Sequence, residues 1–129
     1  MIVLDASATV AWLLQTPAGL LIEQRIFSRQ ETLHTVHLLD VDVVHILLRL
    51  VARGVVYQKR AEQAIEDLAA LRITRYAPSL LIPRIWRLRQ YQIARNAAYL
   101  ALAEEIKAPL VTCNRHIALA PGFTKVELF

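Results

Sequence analysis

The chain has 129 residues, of which 56% are hydrophobic and 20% are charged. This length predicts a single domain over residues 1–129 with a core of its own, and the apolar share exceeds the usual one. We therefore expect part of the apolar surface to lie in a subunit interface, most simply that of a two-fold homodimer. The 15 Lys and Arg against 11 Asp and Glu favour nucleic acid or an acidic partner without deciding between them.

The cysteine content and the distribution of apolar residues argue against a disulfide framework, a signal peptide and a membrane span. A single cysteine, Cys113, rules out an internal disulfide framework, and its apolar surroundings indicate a buried filler rather than a nucleophile. The apolar start of the chain lacks a basic segment and contains Asp5, which argues against a signal peptide. No apolar run reaches the length of a membrane span, so we expect a cytoplasmic protein.

Short apolar runs alternate with helical patterns along the whole chain. Strands are predicted at 2–4, 31–35, 73–76, 110–112 and 126–128, and helices at 6–14, 20–28, 38–53, 58–71, from 78–83 to about 89, and 94–106. Such alternation indicates an α/β fold of three layers, in which a short parallel sheet is flanked by helices.

Four oxygen-bearing side chains stand at informative points of this pattern: Asp5, Asp42, Asn96 and Asn114. Asp5 and Asn114 each follow a predicted strand, and ligands of open α/β sheets gather beyond the carboxyl ends of strands. Asp42 on one helix and Asn96 near the start of another are expected to complete a ring. Four oxygen ligands around one pocket suit a hard divalent cation such as Mg²⁺.

Each of these residues also has a purely structural interpretation. Asp5 can be a helix N-cap, Asn96 a helix-start residue and Asn114 a turn residue. Asp42 lies in an otherwise apolar helix, where a buried carboxylate needs a partner such as Arg49 or another base.

The other polar candidates are weaker. The four histidines have no spacing typical of a zinc site. His45, one turn beyond Asp42, either supports the site or is a half-buried, hydrogen-bonded imidazole. The segment 83–91 either steers RNA or forms an amphipathic helix with its apolar residues packed inside. Its arginines are Arg84, Arg87 and Arg89, and its apolar residues are Ile85, Trp86 and Leu88.

Three segments, in this order, resemble a known family: MIVLDASATVAWLL, LLDVDVVHILLRLVARG and RNAAYLALAEEIKAPLVTCNRH. They are similar to the PIN domain, specifically to VapC-type toxin ribonucleases of bacterial and archaeal toxin–antitoxin systems. The resemblance runs over essentially the whole chain. It implies a PIN-like fold, hydrolysis of RNA phosphodiesters with Mg²⁺ or Mn²⁺, and a cognate VapB-like antitoxin as partner.

The resemblance also implies roles for individual residues. The family binds its metal through an Asp, a Glu and two further Asp, and the matching positions here are Asp5, Asp42, Asn96 and Asn114. Thr112 matches a Thr or Ser that commonly supports the site. Ser7 is close enough in sequence to do the same.

The chain departs from the family pattern at three of the four acidic positions. Asp42 keeps the charge of a Glu with a shorter reach, whereas Asn96 and Asn114 each remove a negative charge. A unit charge about 4 Å from a cation contributes about 4 kcal/mol at an effective dielectric of about 20. We therefore expect at most one weakly held metal and attenuated activity. The alternative is an inactive PIN domain that serves as a protein- or RNA-binding module, and both natural divergence and deliberate inactivation fit the Asn pair.

Overall fold

The computed structural model describes residues 1–119 and 125–129. Its strands are β1 (Ile2–Leu4), β2 (Leu33–Val36), β3 (Ile73–Tyr76), β4 (Leu110–Thr112) and β5 (Val126–Leu128). Its α-helices are α1 (Ala6–Leu13), α2 (Pro17–Ser28), α3 (Leu39–Ala52), α4 (Gln58–Ala70), α5 (Ile82–Arg87), α6 (Ala94–Glu105) and α7 (Arg115–Ala118), and a 3-10 turn covers Pro78–Leu81.

Most predicted elements are present, and the differences have local causes. Helix α2 begins at Pro17 rather than at residue 20, because the Thr16 hydroxyl accepts a hydrogen bond from Gly19 N at 3.1 Å and proline suits the first turn. Strand β2 lies slightly later than predicted. Helix α7 was not predicted, because four residues give no readable periodicity.

The five strands form one parallel sheet in the order β3-β2-β1-β4-β5. The chain runs outward from β1 to β2 and β3, then returns to the other side of β1 for β4 and β5. The order in which successive strands are added to the sheet therefore reverses between β1 and β4, where Leu4 pairs with Val111. Loops diverge beyond the carboxyl ends of two such strands and leave a crevice.

The core lies on both faces of the sheet, since successive strand residues point to opposite sides. Val3 and Leu110 pack with α3, α4 and α6 on one face. Ile2, Leu4 and Val111 pack with α2 and Trp12 on the other. The predicted α/β fold with a parallel sheet flanked by helices is confirmed.

The segment 83–91 differs from the predicted amphipathic helix at its tryptophan. Leu88 is buried and Ile85 packs against the core, but Trp86 is 66% exposed. The guanidinium of Arg89 lies 4.4 Å from the centre of the Trp86 ring, so the indole is covered by a cation rather than by the core. The prediction that Trp86 packs inside is wrong.

No helix in the described part of the chain is both long enough and apolar enough to cross a membrane.

Candidate functional site

Asp5, Asp42, Asn96 and Asn114 all line one cavity of about 320 Å³. It opens beyond the carboxyl ends of β1 and β4, at the point where the strand order reverses. The other residues of its wall are Ala6, Ser7, Ile46, Ile93, Arg95, Tyr99 and His116. Residues far apart in the sequence therefore meet at the place where open α/β sheets usually bind ligands.

Asp5 is the most tightly held of the four side chains. Its Oδ1 caps α1 by accepting a hydrogen bond from Ala8 N at 2.9 Å, and it accepts another from Ser7 Oγ at 2.8 Å. Its Oδ2 accepts a hydrogen bond from Thr112 Oγ1. The N-cap interpretation of Asp5 is thus correct, and Asp5 also lines the cavity.

Ser7 and Thr112 extend this network into the loop after β4. Ser7 Oγ accepts from Cys113 N at 2.9 Å, and Thr112 Oγ1 accepts from Asn114 N at 2.9 Å. The two hydroxyl oxygens are 3.2 Å apart. Both residues proposed as supports therefore contact Asp5 directly and fix the backbone that carries Asn114.

Burial sets the protonation of the groups around Asp5. Removal from water raises the pKa of Asp5, and its hydrogen bonds from Thr112, Ala8 and Ser7 oppose that rise only in part. Burial and the Asp5 charge also raise the pKa of Cys113, so that its thiol stays protonated. This supports the interpretation of Cys113 as a packing residue.

Asp42 lies on α3 with both carboxylate oxygens engaged. Its Oδ2 accepts a hydrogen bond from Tyr99 OH at 2.7 Å, and its Oδ1 lies 3.0 Å from Arg95 Nε. Burial first, and then Asp42 itself, raises the pKa of Tyr99, so the phenol remains a neutral donor. The prediction that Asp42 pairs with Arg49 or another base is confirmed, because Arg95 forms the ion pair, whereas Arg49 lies exposed on α3.

Sequence reasoning missed Arg95 and Tyr99 as parts of the site. They lie four residues apart on α6 and therefore share a helix face with each other, next to Asn96. That spacing was the available signal, but only the tertiary structure, which brings both helices to one cavity, shows that both side chains reach Asp42.

The side chains of Asn114 and Asn96 form different hydrogen bonds. Asn114 is the N-cap of α7, where its Oδ1 accepts from His116 N at 3.0 Å, so the turn interpretation is correct as well. Asn96 Nδ2 donates to Gln92 Oε1 at 3.4 Å. Asn96 does not cap α6, because the N-cap there is Ile93, which offers no side-chain acceptor.

The side chains around the cavity do not fit a firmly held divalent cation. Such an ion needs several oxygen lone pairs that converge on one point. Here every oxygen of Asp5 and Asp42 already accepts from a protein donor, one of them a guanidinium, and the Asn114 carbonyl oxygen serves as a cap. Among the described residues no three His, Cys, Asp or Glu side chains converge as a metal-binding group.

The weaker candidates lie outside the cavity. His45 is exposed on α3 and is not part of the cavity wall, so it is not the half-buried imidazole of the alternative either. Arg84 is paired with Glu104, with Nε 2.7 Å from a carboxylate oxygen. Arg87 and Arg89 are exposed on or near α5.

The Asp5→Asn variant is expected to melt at a higher temperature than the unmodified chain near pH 7 in metal-free buffer. The folded-state pKa of Asp5 is raised above the value of about 3.9 in the unfolded chain. The ionised carboxylate therefore lowers stability as the pH rises through the folded-state pKa. Asparagine keeps the acceptor for Ala8 N and carries no charge.

Thermal melts between pH 4 and pH 8 test this expectation, and the gain should shrink towards pH 4, because a larger fraction of Asp5 is protonated there. Asp67→Asn, at an exposed position on α4, is the matched control and should show no such trend. An Asp5→Asn variant that is less stable at every pH would show that the hydrogen bonds to the charged form outweigh its burial.

Comparisons with known proteins identify the family of this chain. No family model matches the chain. It is 34% identical over 129 residues to ribonuclease VapC12 of Mycobacterium tuberculosis, which covers 99% of this chain and 98% of that protein. It is 35% identical over 118 residues to ribonuclease VapC9 of the same organism, covering 92% and 89%, and 31% identical over 121 residues to ribonuclease VapC3 of Pyrobaculum aerophilum, covering 91% and 92%.

A solved structure has the same fold. It is a chain in the crystal structure of VapBC2 from Rickettsia felis bound to a DNA fragment from their promoter, with a TM-score of 0.64, 14% identity and 98% coverage of both chains. At that identity the likeness concerns the fold alone. With relatives above 30% identity along nearly its whole length, the chain belongs to the VapC family of ribonucleases.

Proposed function

We propose that this VapC ribonuclease is the toxin of a type II toxin–antitoxin system and that its hydrolysis of RNA phosphodiesters is attenuated. The observation that supports the proposal is the single cavity in which two carboxylates and two amides occupy the four expected positions. The family that the chain resembles uses four acids there. The cavity therefore retains the arrangement but only half of the negative charge.

The attenuation follows from the chemistry of the two amides. In the resembling family Mg²⁺ or Mn²⁺ supplies the activated water and the charge that stabilises the phosphate. Asn96 and Asn114 attract such a cation less than carboxylates do, and an amide is a poor proton acceptor. We propose that this chain holds the cation weakly, through Asp5 and Asp42.

RNA is the proposed substrate, and the basic surface supports it. The net charge is +4, and Arg95 and His116 are exposed at the cavity wall. Of the arginines proposed to steer RNA, Arg87 and Arg89 remain exposed, whereas Arg84 is largely committed to Glu104. We retain Arg87 and Arg89 as weak steering groups, because exposed cations attract phosphates at long range.

An inactive binding module is the second candidate function, and one specific observation favours it. Both carboxylate oxygens of Asp42 and the side-chain oxygen of Asn114 have protein partners. Among the described residues no buried side-chain nitrogen or oxygen lacks a partner. A cavity that is satisfied in this way can persist as a surface for RNA or protein after catalysis is lost.

Restoring the two acids separates these functions. The Asn96→Asp/Asn114→Asp double variant is expected to cleave RNA at least about 100-fold faster than the unmodified chain in Mn²⁺, because both charge and proton acceptors return. Total cellular RNA serves as the substrate, and sequencing of new 5′ ends measures cleavage.

The double variant that also carries Asp5→Asn is the matched control and should lose the gained activity. It keeps the shape of the site and removes one charge. A folded double variant, judged by circular dichroism, that still does not cleave RNA would refute the enzyme proposal and leave the binding module.

We propose a VapB-like antitoxin as the protein partner. A groove of about 280 Å³ between α3 and α4 has an apolar floor and rim, formed in part by Val44, Leu48 and Ile65. Leu48 is 63% exposed although it is a leucine. Such grooves suit the apolar face of an amphipathic helix.

Leu48→Asp is expected to weaken antitoxin binding at least about 30-fold, which is the loss typical of a central apolar contact. The probe is the short protein encoded beside the gene, co-expressed with the tagged chain and measured by co-purification and calorimetry. Leu20→Asp, an equally drastic change at an exposed leucine of α2, should leave binding intact. Equal loss in both variants would contradict the groove as the docking site.

A homodimer in the cytoplasm is the remaining part of the proposal. Leu80, Ile82 and Trp86 are 91%, 56% and 66% exposed in one stretch of the chain, which supports a second copy as their cover.

Sedimentation velocity tests the dimer. The molar mass derived for the unmodified protein should be about twice the 14.6 kDa of one chain. Trp86→Glu should yield a monomer because it places a charge in the interface, whereas Leu20→Glu should not. A monomer at every concentration for the unmodified chain would refute the dimer.

A further inference from the structure

Arg95 places a permanent positive charge where the family resemblance leads one to expect a metal ion. Its Nε lies 3.0 Å from Asp42 Oδ1, and the side chain is 52% exposed, whereas that of Asp42 is 4% exposed. Arginine stays protonated in proteins at every ordinary pH. The positive charge is thus present at the cavity wall at every ordinary pH.

The surroundings of Asp42 make this pair necessary. A buried carboxylate is costly unless charge and hydrogen bonds compensate it. Tyr99 OH supplies a neutral hydrogen bond at 2.7 Å, and Arg95 supplies the charge. Within residues 1–119 and 125–129, Asp42 forms a salt bridge with no other cationic side chain.

We propose that Arg95 is an internal cation of the site, which competes with divalent metal ions for Asp42 and thereby helps to hold the chain in its attenuated state. The inference rests on the proposed function, because it takes this cavity to be the place where a metal ion would act. The effect proposed for Arg95 is separate from the loss of negative charge at Asn96 and Asn114. Arg95 is a positioning residue in this sense, since it acts on the site through Asp42.

Charge explains how the competition works. Asp5 and Asp42 supply two carboxylates to the cavity, and Arg95 offsets one of them. A metal ion that approaches Asp42 meets the repulsion of the guanidinium and must displace it from Oδ1. Because half of the Arg95 side chain is already exposed, it can turn towards solvent when a stronger cation arrives.

Calorimetric titration with Mn²⁺ tests the competition directly. The parent is the Asn96→Asp/Asn114→Asp double variant, because its two added carboxylates are expected to bring Mn²⁺ binding into the measurable range. Adding Arg95→Gln is expected to tighten Mn²⁺ binding about tenfold or more, because it removes a positive charge next to the ion. Adding Arg95→Lys, which keeps the charge, should leave the affinity close to that of the parent.

Arg115→Gln in the same parent is the matched control. Arg115 is an exposed cation of α7 in sequence between two residues of the cavity wall, but it does not itself line the cavity. Equal tightening by Arg95→Gln and Arg115→Gln would overturn the proposal, since the effect would then be a general change of net charge. Unchanged affinity in Arg95→Gln, or no Mn²⁺ binding in any variant, would overturn it as well.

A second measurement covers the case in which Arg95→Gln fails to fold because Asp42 is left unpaired. In the parent with Arg95 intact, the Nε–H resonance of Arg95 should move towards that of a free arginine when Mg²⁺ is added. An unmoved resonance at saturating Mg²⁺ would contradict displacement. Both measurements detect metal binding rather than hydrolysis, so failed RNA cleavage by the double variant would refute the proposed function without deciding this one.

Discussion

The hydrogen bonds of the Asp5 carboxylate are the constraint on which the rest of the site depends. They join the end of β1, the first turn of α1 and the end of β4, because Ala8 N, Ser7 Oγ and Thr112 Oγ1 all donate to one side chain. The same network fixes the backbone of the loop after β4, which carries Asn114. The Asp5 side chain therefore ties three segments of the chain together at the floor of the site.

The carboxylate of Asp42 has a different kind of partner from that of Asp5, so the two sides of the cavity differ electrostatically. Around Asp5 the donors are neutral, and burial raises its pKa. Around Asp42 the donors are a phenol and a guanidinium, so its charge is balanced within the protein. One wall of the cavity thus lacks a counter-charge and the other has its own. The two carboxylates of the cavity are therefore not electrostatically equivalent.

The sequence was informative wherever a single element decides the position of a residue. The apolar runs located the strands, and the rule that ligands gather at strand ends placed Asp5 and Asn114 together. It failed where two elements must pack to create a contact. Arg95 reaches Asp42 only because the fold brings the first turns of α6 and α3 to the same cavity, and Trp86 lies outside the core with the guanidinium of Arg89 over its ring. Periodicity along one helix contains neither fact.

The two amides and the internal cation Arg95 have the same electrostatic effect, because each leaves the cavity with less negative charge than four carboxylates would. Four carboxylates packed around one crevice repel each other and need a metal ion to be stable. With Asn at two positions only Asp5 and Asp42 still repel each other, and Asn114 caps α7 through its carbonyl oxygen. Arg95 then neutralises the buried Asp42 that remains. If the proposed attenuation holds, the amides that reduce attraction for a cation also reduce repulsion between carboxylates, so stability and catalysis make opposite demands on these four positions.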